Sequence, residues 1–263
     1  MDKPIDVWYN AIFNRVSRRN FEPQGLSREE VNSFTQFCVG FRPFPGVRAV
    51  LSTDAADVVF KGAIGSYGKV KGARVFVAFI GDAKDPNILE KIGYFGESII
   101  LEATARGFGT CWVGGYFRPD IVSSVVSITG GEKIFAVTPV GYPLESYSRE
   151  EKWMRMFINA HKRLPATQLV TGLELEKWPD WVDEAIKVAR LAPSAHNNQP
   201  WEFNIGFDTV TISVSQKRGK LKSFNRMDCG ISLLHLELGA QKAGVHGVFR
   251  FLDDPDVAVF QRV

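Results

Sequence analysis

Four short stretches of this chain combine residue types and spacings suited to holding a charged organic ligand. RVSRRNF at 15–21 sets Arg15, Ser17 and Arg19 at alternate positions, with Phe21 next in the series. Alternate residues of an extended segment share a face, so two guanidiniums flank one hydroxyl. Forked N–H donors around a hydroxyl make a cradle for a phosphate. The other reading is a solvated basic connector. AHKRLP at 160–165 adds Lys162 and Arg163, either as a second phosphate cluster or as cations that meet the dipole at a helix C-terminus. TCWVGGYF at 110–117 contains Gly114 and Gly115. Adjacent glycines let backbone N–H groups approach a flat aromatic ligand, unless the turn serves the fold alone. ARLAPSAHNNQPWEF at 189–203 places Ser, His, two Asn and Gln between Pro193 and Pro200. Its amides are both donors and acceptors. A plain Asn-rich helix-to-strand turn is the alternative.

Other chemistries find no support. QKRGKLKSFNR at 216–226 is basic, but no nucleic-acid-binding motif accompanies it, so it reads as a solvated loop. There is no GxSxG, P-loop, clear GxGxxG, Ser-His-Asp set or carboxylate pair, and the histidines lack HExxH spacing. No catalytic side chain and no metal site are assigned. Cys38, Cys111 and Cys229 are odd in number and lack CxxC spacing, which reads as buried reduced thiols. The groups that remain bind a cofactor rather than attack a substrate, which suits a cofactor that carries its own chemistry.

Composition agrees. The chain has 263 residues, 45% hydrophobic and 23% charged, with a net charge of +3. Such a charge does not by itself call for nucleic acid, and the local basic excess suits a small anionic ligand. No secretory h-region follows the N-terminus, and no apolar run approaches the roughly 18 residues of a membrane span. The expectation is a cytoplasmic protein with no membrane or nucleic-acid partner.

Periodicity and punctuation place the elements around these stretches. Residues 6–16 read as a short helix. Ser27 and Glu30 have capping-box spacing, so a helix runs from Arg28 to about Phe41. VRAVLS (47–52) and VVFKG (58–62) read as strands, followed by a glycine-rich loop that contains Tyr67 and Lys69. RVFVAFI (74–80) is a buried strand, residues 87–107 a helix closed by Gly107, and IFAVTPVGYP (134–143) a strand. An amphipathic stretch at 150–165 turns basic. A helix at 178–192 leads to the opening loop, then to the hairpin WEFNIG/VTISVS, a helix ending near Gly244, and HGVFRFL as the last strand. ILEKIGYFGESIILEATARGFGTCW lies over NRMDCGISLLHLELGAQKAGVHGVF at a shift of 137, pairing Gly93 with Gly230, Leu101 with Leu238, Ala103 with Ala240 and Gly107 with Gly244. The identities are few enough for chance; the other reading is a tandem duplication. The expected organisation is two α+β halves, 1–165 and 166–263, with mainly antiparallel sheets flanked by helices.

These residues resemble the FMN-dependent nitroreductase family. PSAHNNQPW looks like that family's PSxxNxQPW signature, and RVSRRNF looks like its R-x-S-x-R-x-F phosphate motif. ARGFGTCWVGG is similar to its glycine loop beside the flavin, VGYP to its G-Y/x-P turn, and HKRLP to its late basic phosphate clamp. The resemblance implies a homodimeric nitroreductase fold with two FMN sites, each drawing its arm and its amide loop from different subunits. Here the arm, glycine loop and clamp occur once, in the first half, where GFRPFPGVR stands in place of an amide loop. The second half carries PSAHNNQPW without an R-x-S-x-R arm and ends at Val263 before any late clamp. The implied protein is a fused pseudo-dimer: a monomer with an internal pseudo-two-fold, one FMN site and a second, empty one.

Roles follow from the resemblance. Arg15, Arg19, Lys162 and Arg163 would hold the phosphate and Ser17 would add a hydroxyl bond. Pro193, Ser194, Ala195 and Asn197 would contact the ring and ribityl chain. Gly114 and Gly115 would bring N–H groups near the N5 side, and Tyr67 and Lys69 would approach the pyrimidine edge. The implied activity is ping-pong hydride transfer from NADH or NADPH to a small nitroaromatic or quinone-like acceptor. The alternative is a non-enzymatic FMN-binding protein or an apo relic of the fold.

Overall fold

The continuous apolar runs become central strands. The computed structural model describes residues 2–60, 70–218 and 222–263; Tyr67, Lys69 and the centre of the 216–226 basic stretch lie outside them. Its contacts divide the chain into two units. Unit 1 comprises chiefly Asn14–Ile88 and Ile99–Ile158; unit 2 comprises Lys3–Phe13, Leu89–Ser98 and Asn159–Val263. The cut at Ile158/Asn159 puts Lys162 and Arg163 in the same unit as the 193–200 loop.

Unit 1 is built on an antiparallel sheet of order β1-β2-β4-β3. β1 is Val47–Ser52, β2 Val75–Asp82, β3 Gly109–Thr110 and β4 Glu132–Gly141. β2 is buried on both faces through seven residues, Val75 to Gly81, as its unbroken apolar run requires. Helix α2 (Arg28–Gly40) starts at the capping box expected from sequence: Glu30 N donates to Ser27 Oγ and Ser27 N to Glu30 Oε2. One face of the sheet carries the cluster Phe76, Ala78, Ile80, Ile134 and Val137. Two short helices pack there, α3 (Ala56–Val59) and α5 (Pro119–Val125).

α3 corrects the reading of 58–62 as a strand at Val58 and Val59; residues 61 and 62 lie outside the described residues. Val58-Val59 has β propensity, but Ala55 sits at φ 57 and its carbonyl accepts from both Val58 N and Val59 N at 2.9 Å. The turn so formed sends Ala56 and Val59 into the core with Val122 and Val126. Tertiary burial outweighs a weak local preference.

Unit 2 carries α1 (Ile5–Asn14, up to Phe13), α7 (Asp180–Ala189), α8 (Lys222–Lys242) and a sheet of order β5-β6-β7-β9-β8. β5 is Val170–Gly172, β6 Trp201–Ile205, β7 Thr209–Val214, β8 Gly247–Phe251 and β9 Asp256–Arg262. β5 joins β6 in parallel; the other pairs are antiparallel. HGVFRFL is therefore not the last strand: β9 follows and lies between β7 and β8. A β-bulge hides it from a period-two search. Pairing skips Val257, so Val257 and Ala258 are both buried and the alternation breaks.

The two sheets repeat one plan. β6-β7-β9-β8 matches β1-β2-β4-β3 in order and sense, and the bulge recurs: β4 slips at Phe79/Ile80 of β2, as β9 slips at Ile212/Ser213 of β7. Helix α4 (Ile88–Ala105) and α8 end alike. Gly107 (φ 82) and Phe108 donate to Thr104 O and Ala103 O; Gly244 (φ 77) and Val245 donate to Gln241 O and Ala240 O. Both are Schellman caps, which need the positive φ that glycine tolerates.

Within unit 2 the first half of α4 crosses α8 by reciprocal glycine contacts. A methyl on Gly93 would overlap the Met227 carbonyl, and one on Gly230 would overlap the Glu90 carbonyl. The offsets 230 − 93 and 227 − 90 are both 137. Equal and exchanged contacts are what a two-fold axis between helices produces.

Candidate functional site

In unit 1, the arm at 15–21 is extended and threaded into the sheet margin. Ser17 bridges Thr110 in parallel, Asn20 bridges Lys71, and Phe21 bridges Pro143. Arg18 N donates to Thr110 O at 2.8 Å and Lys71 N to Arg19 O at 2.8 Å. Arg18 and Asn20 turn inward and are buried, while Arg15, Ser17 and Arg19 stay half-buried at the alternate positions. Arg18 donates to Leu144 O and lies 4.5 Å from the centre of the Tyr147 ring, which Arg155 also covers at 4.5 Å. Among the described residues the Arg19 guanidinium makes no hydrogen bond or ion pair, so its fork is available to an anion.

Beneath the arm lies Glu151, only 1% exposed, in helix α6 (Arg149–Phe157). It is the third residue of a capping box: Glu151 N donates to Ser148 Oγ at 3.2 Å and Ser148 N to Glu151 Oε2 at 3.0 Å. Its other oxygen accepts from Arg19 N at 2.7 Å and Asn20 N at 3.3 Å. Burial pushes this carboxyl upward, but the N–H donors of Arg19 and Ser148 outweigh it and hold the group below its ordinary range.

The glycine loop also belongs to unit 1. Val113 exchanges both backbone hydrogen bonds with Val137 at 2.9 Å, which pins the chain to β4 immediately before Gly114. Cys111 N donates to Thr138 Oγ1 at 3.1 Å, and Trp112 packs on Phe79 with ring centroids 5.0 Å apart. Gly114 is half-buried and Gly115 exposed.

In unit 2, the loop after α7 is strained and internally bonded. His196, Asn197 and Gln199 have φ of 55, 57 and 50, a conformation that costs non-glycine residues unless the surroundings impose it. Those surroundings are visible. Asn197 Nδ2 donates to Asn159 O at 2.8 Å and to Lys162 O at 2.9 Å, and its Oδ1 accepts from Arg163 Nη1 at 3.0 Å. Gln199 Oε1 accepts from Leu164 N at 2.8 Å, and Gln199 N donates to Ser194 Oγ at 2.8 Å. Arg163 also reaches Leu191 O and Ala160 O. The amides thus clasp segment 159–164 and hold Lys162, whose side chain is exposed, at its surface. Below the loop, the Asp228 carboxyl of α8 accepts from Ala195 N at 3.0 Å. Burial raises it well above the carboxylate range, and the one backbone donor only partly offsets this.

Comparisons with known proteins bear on both units. A family model described as "Putative TM nitroreductase" matches residues 8–240. The chain belongs to this nitroreductase family. Its fold is similar to the solved putative nitroreductase of Thermotoga maritima, at 22% identity and a TM-score of 0.65, over 97% of this chain and 93% of that one. An FMN-dependent nitroreductase of Clostridium difficile aligns at 14% identity and a TM-score of 0.43, over 52% of this chain and 88% of that one. A putative NADH dehydrogenase/NAD(P)H nitroreductase of Parabacteroides distasonis aligns at 18% and 0.43, over 54% and 89%. No curated protein matches the chain in sequence.

In this nitroreductase-family chain the structure groups the sequence-selected residues into two sets. Arg15, Ser17 and Arg19 share one extended segment, and Ser17 pairs beside Thr110, close in sequence to Gly114 and Gly115. Lys162 and Arg163 gather with Ser194, Ala195 and Asn197, Arg163 and Asn197 in direct contact. Arg218 of the basic stretch is structural: it donates to Trp201 O and Gln199 O. Sequence reasoning missed Glu151 and Asp228. Glu151 had a legible signal, the S-x-x-E spacing of Ser148 and Glu151. Asp228, a lone acid in an apolar helix pattern, had none.

Proposed function

We propose that this chain is an FMN-dependent oxidoreductase that passes reducing equivalents from NADH or NADPH to a small nitroaromatic or quinone-like acceptor. The observation that carries the reading is the arm: an extended backbone anchored from behind, with Ser17 and an Arg19 guanidinium that makes no hydrogen bond or ion pair among the described residues at its half-buried alternate positions. Two guanidiniums and a hydroxyl fit a phosphate dianion chemically, and the flavin is what the resemblance to FMN-dependent nitroreductases implies. Bound FMN supplies hydride chemistry at N5 in a ping-pong cycle.

The protein's part is to bind and orient. Arg15 and Arg19 hold the phosphate, with Lys162 and Arg163 adding charge, and Ser17 contributes its hydroxyl. Pro193, Ser194 and Ala195 line the ring and ribityl side. The Ser194 hydroxyl accepts from Gln199 N, which leaves its O–H to donate. Asn197 joins them with the remaining lone pair of Oδ1. Gly114 and Gly115 would offer backbone N–H groups to the flavin ring. No side chain is assigned as general acid or base.

The test is direct. Purified protein is expected to be yellow, and anaerobic NADH or NADPH to bleach it. A colourless protein that takes up no FMN overturns the reading; a yellow one that neither nucleotide bleaches is a flavin-binding protein without this activity. Arg19→Ala is expected to weaken FMN binding by about 10- to 100-fold, the loss of a charge-assisted bond. Unchanged affinity would remove Arg19 from the site.

A further inference from the structure

The phosphate arm belongs to no regular strand pair along most of its length, yet its residues keep a defined alternation. Isolated bridges at Ser17, Asn20 and Phe21 hold it at separate points. Between the first two, the Arg19 N–H has no strand partner and meets a carboxylate instead. Glu151 Oε1 accepts from Arg19 N at 2.7 Å and from Asn20 N at 3.3 Å, while Oε2 closes the α6 capping box on Ser148 N at 3.0 Å. Asn20 Nδ2 adds a bond to Ser148 Oγ at 3.1 Å. One buried acid therefore joins the start of α6 to consecutive amides of the arm. Of the Glu151 carboxylate a capping box asks only the bond from the Ser148 N–H; the second oxygen accepts from the arm.

We infer that Glu151 is a positioning residue for phosphate recognition: its carboxylate sets the Arg19–Asn20 backbone so that Ser17 and Arg19 are held at the anion-binding face. The inference rests on the FMN reading above. Glu151 meets Arg19 through the backbone N–H, which leaves the guanidinium to the ligand. A carboxylate accepting N–H bonds makes strong, short contacts in a dry setting, and a pre-set arm loses less entropy when it closes on a phosphate.

The experiment compares FMN with riboflavin, which has the ring and ribityl chain but no phosphate. Glu151→Gln, with one oxygen replaced by a donor, is expected to weaken FMN binding by about 10-fold or more, measured by fluorescence titration, while riboflavin affinity stays within about twofold. Equal losses for both ligands, or none for either, overturn the inference. If the wild type binds no FMN, the functional reading fails instead. Hydrogen exchange on the wild-type protein is independent of whether the variant folds. The Arg19 and Asn20 amides are expected to be protected although they lie outside the named strands, and exchange at unfolded-chain rates would also overturn the inference.

Discussion

Asn197 illustrates how far residue type and residue role differ. A loop with Asn197, Asn198 and Gln199 reads as a surface offered to a ligand, yet Asn197 and Gln199 spend most of their bonding capacity on segment 159–164. The functional consequence is indirect: they hold the Lys162–Arg163 pair in place. Asn197→Ala removes two donors and an acceptor from Arg163, so a stability loss of about 1–3 kcal/mol is expected. Urea denaturation reads it, and a change under about 0.3 kcal/mol would show the clasp to be dispensable. Acid sensitivity has a residue-scale origin as well. Glu132 takes a two-point contact from Arg48 at 2.7 and 2.8 Å, which holds its carboxyl down at about 2. Its stabilising contribution is present above the ordinary carboxylate range and is lost as pH falls toward 2. Glu132→Gln is expected to flatten the acid limb of the stability curve; an unchanged limb would assign acid unfolding to other groups.

At the scale of elements, the crossing of α4 and α8 depends on two glycines that the chain repeats. Gly93 and Gly230 each face a carbonyl of the opposite helix at a distance that excludes a methyl. Gly93→Ala and Gly230→Ala are each expected to cost about 2–3 kcal/mol, because a packed crossing must separate to admit the new carbon. The two losses should be similar if the contacts are symmetric in energy as they are in geometry. A cost below about 0.5 kcal/mol at either position would refute that. The same helices differ in polar detail. His235, fully buried in α8, has Nδ1 on the Val188 carbonyl at 3.2 Å and Nε2 on Glu97 at 3.1 Å. A carbonyl only accepts, so Nδ1 carries a proton. The position matching His235 in α4 is Ser98, so the two helices differ at this buried polar site.

For the whole molecule, the repeated sheet order, the repeated bulge and the repeated helix cap make one chain the equivalent of two copies of a single α+β plan. The arm and the amide loop each occur once, which leads to a stoichiometry: one FMN per chain on a monomer. Light scattering with flavin quantitation measures both. Two FMN per chain, or a dimer as the smallest flavin-binding species, would overturn the single-site proposal.

Local chemistry was readable without coordinates. The Ser27–Glu30 capping box, the C-cap at Gly107 and the buried strand at Val75–Asp82 follow from bonding rules that act within a few residues. The spacing of Arg15, Ser17 and Arg19 and the PSAHNNQPW signature identified the family class for the same reason: short motifs carry their chemistry in their order. What only the tertiary structure decided involved partners far away in sequence. It turned Val58 and Val59 to helix by burying Val59, placed β9 inside the second sheet across a bulge, and brought Glu151 under the arm from 132 residues away. Those outcomes depend on which surfaces meet, and no local period encodes that.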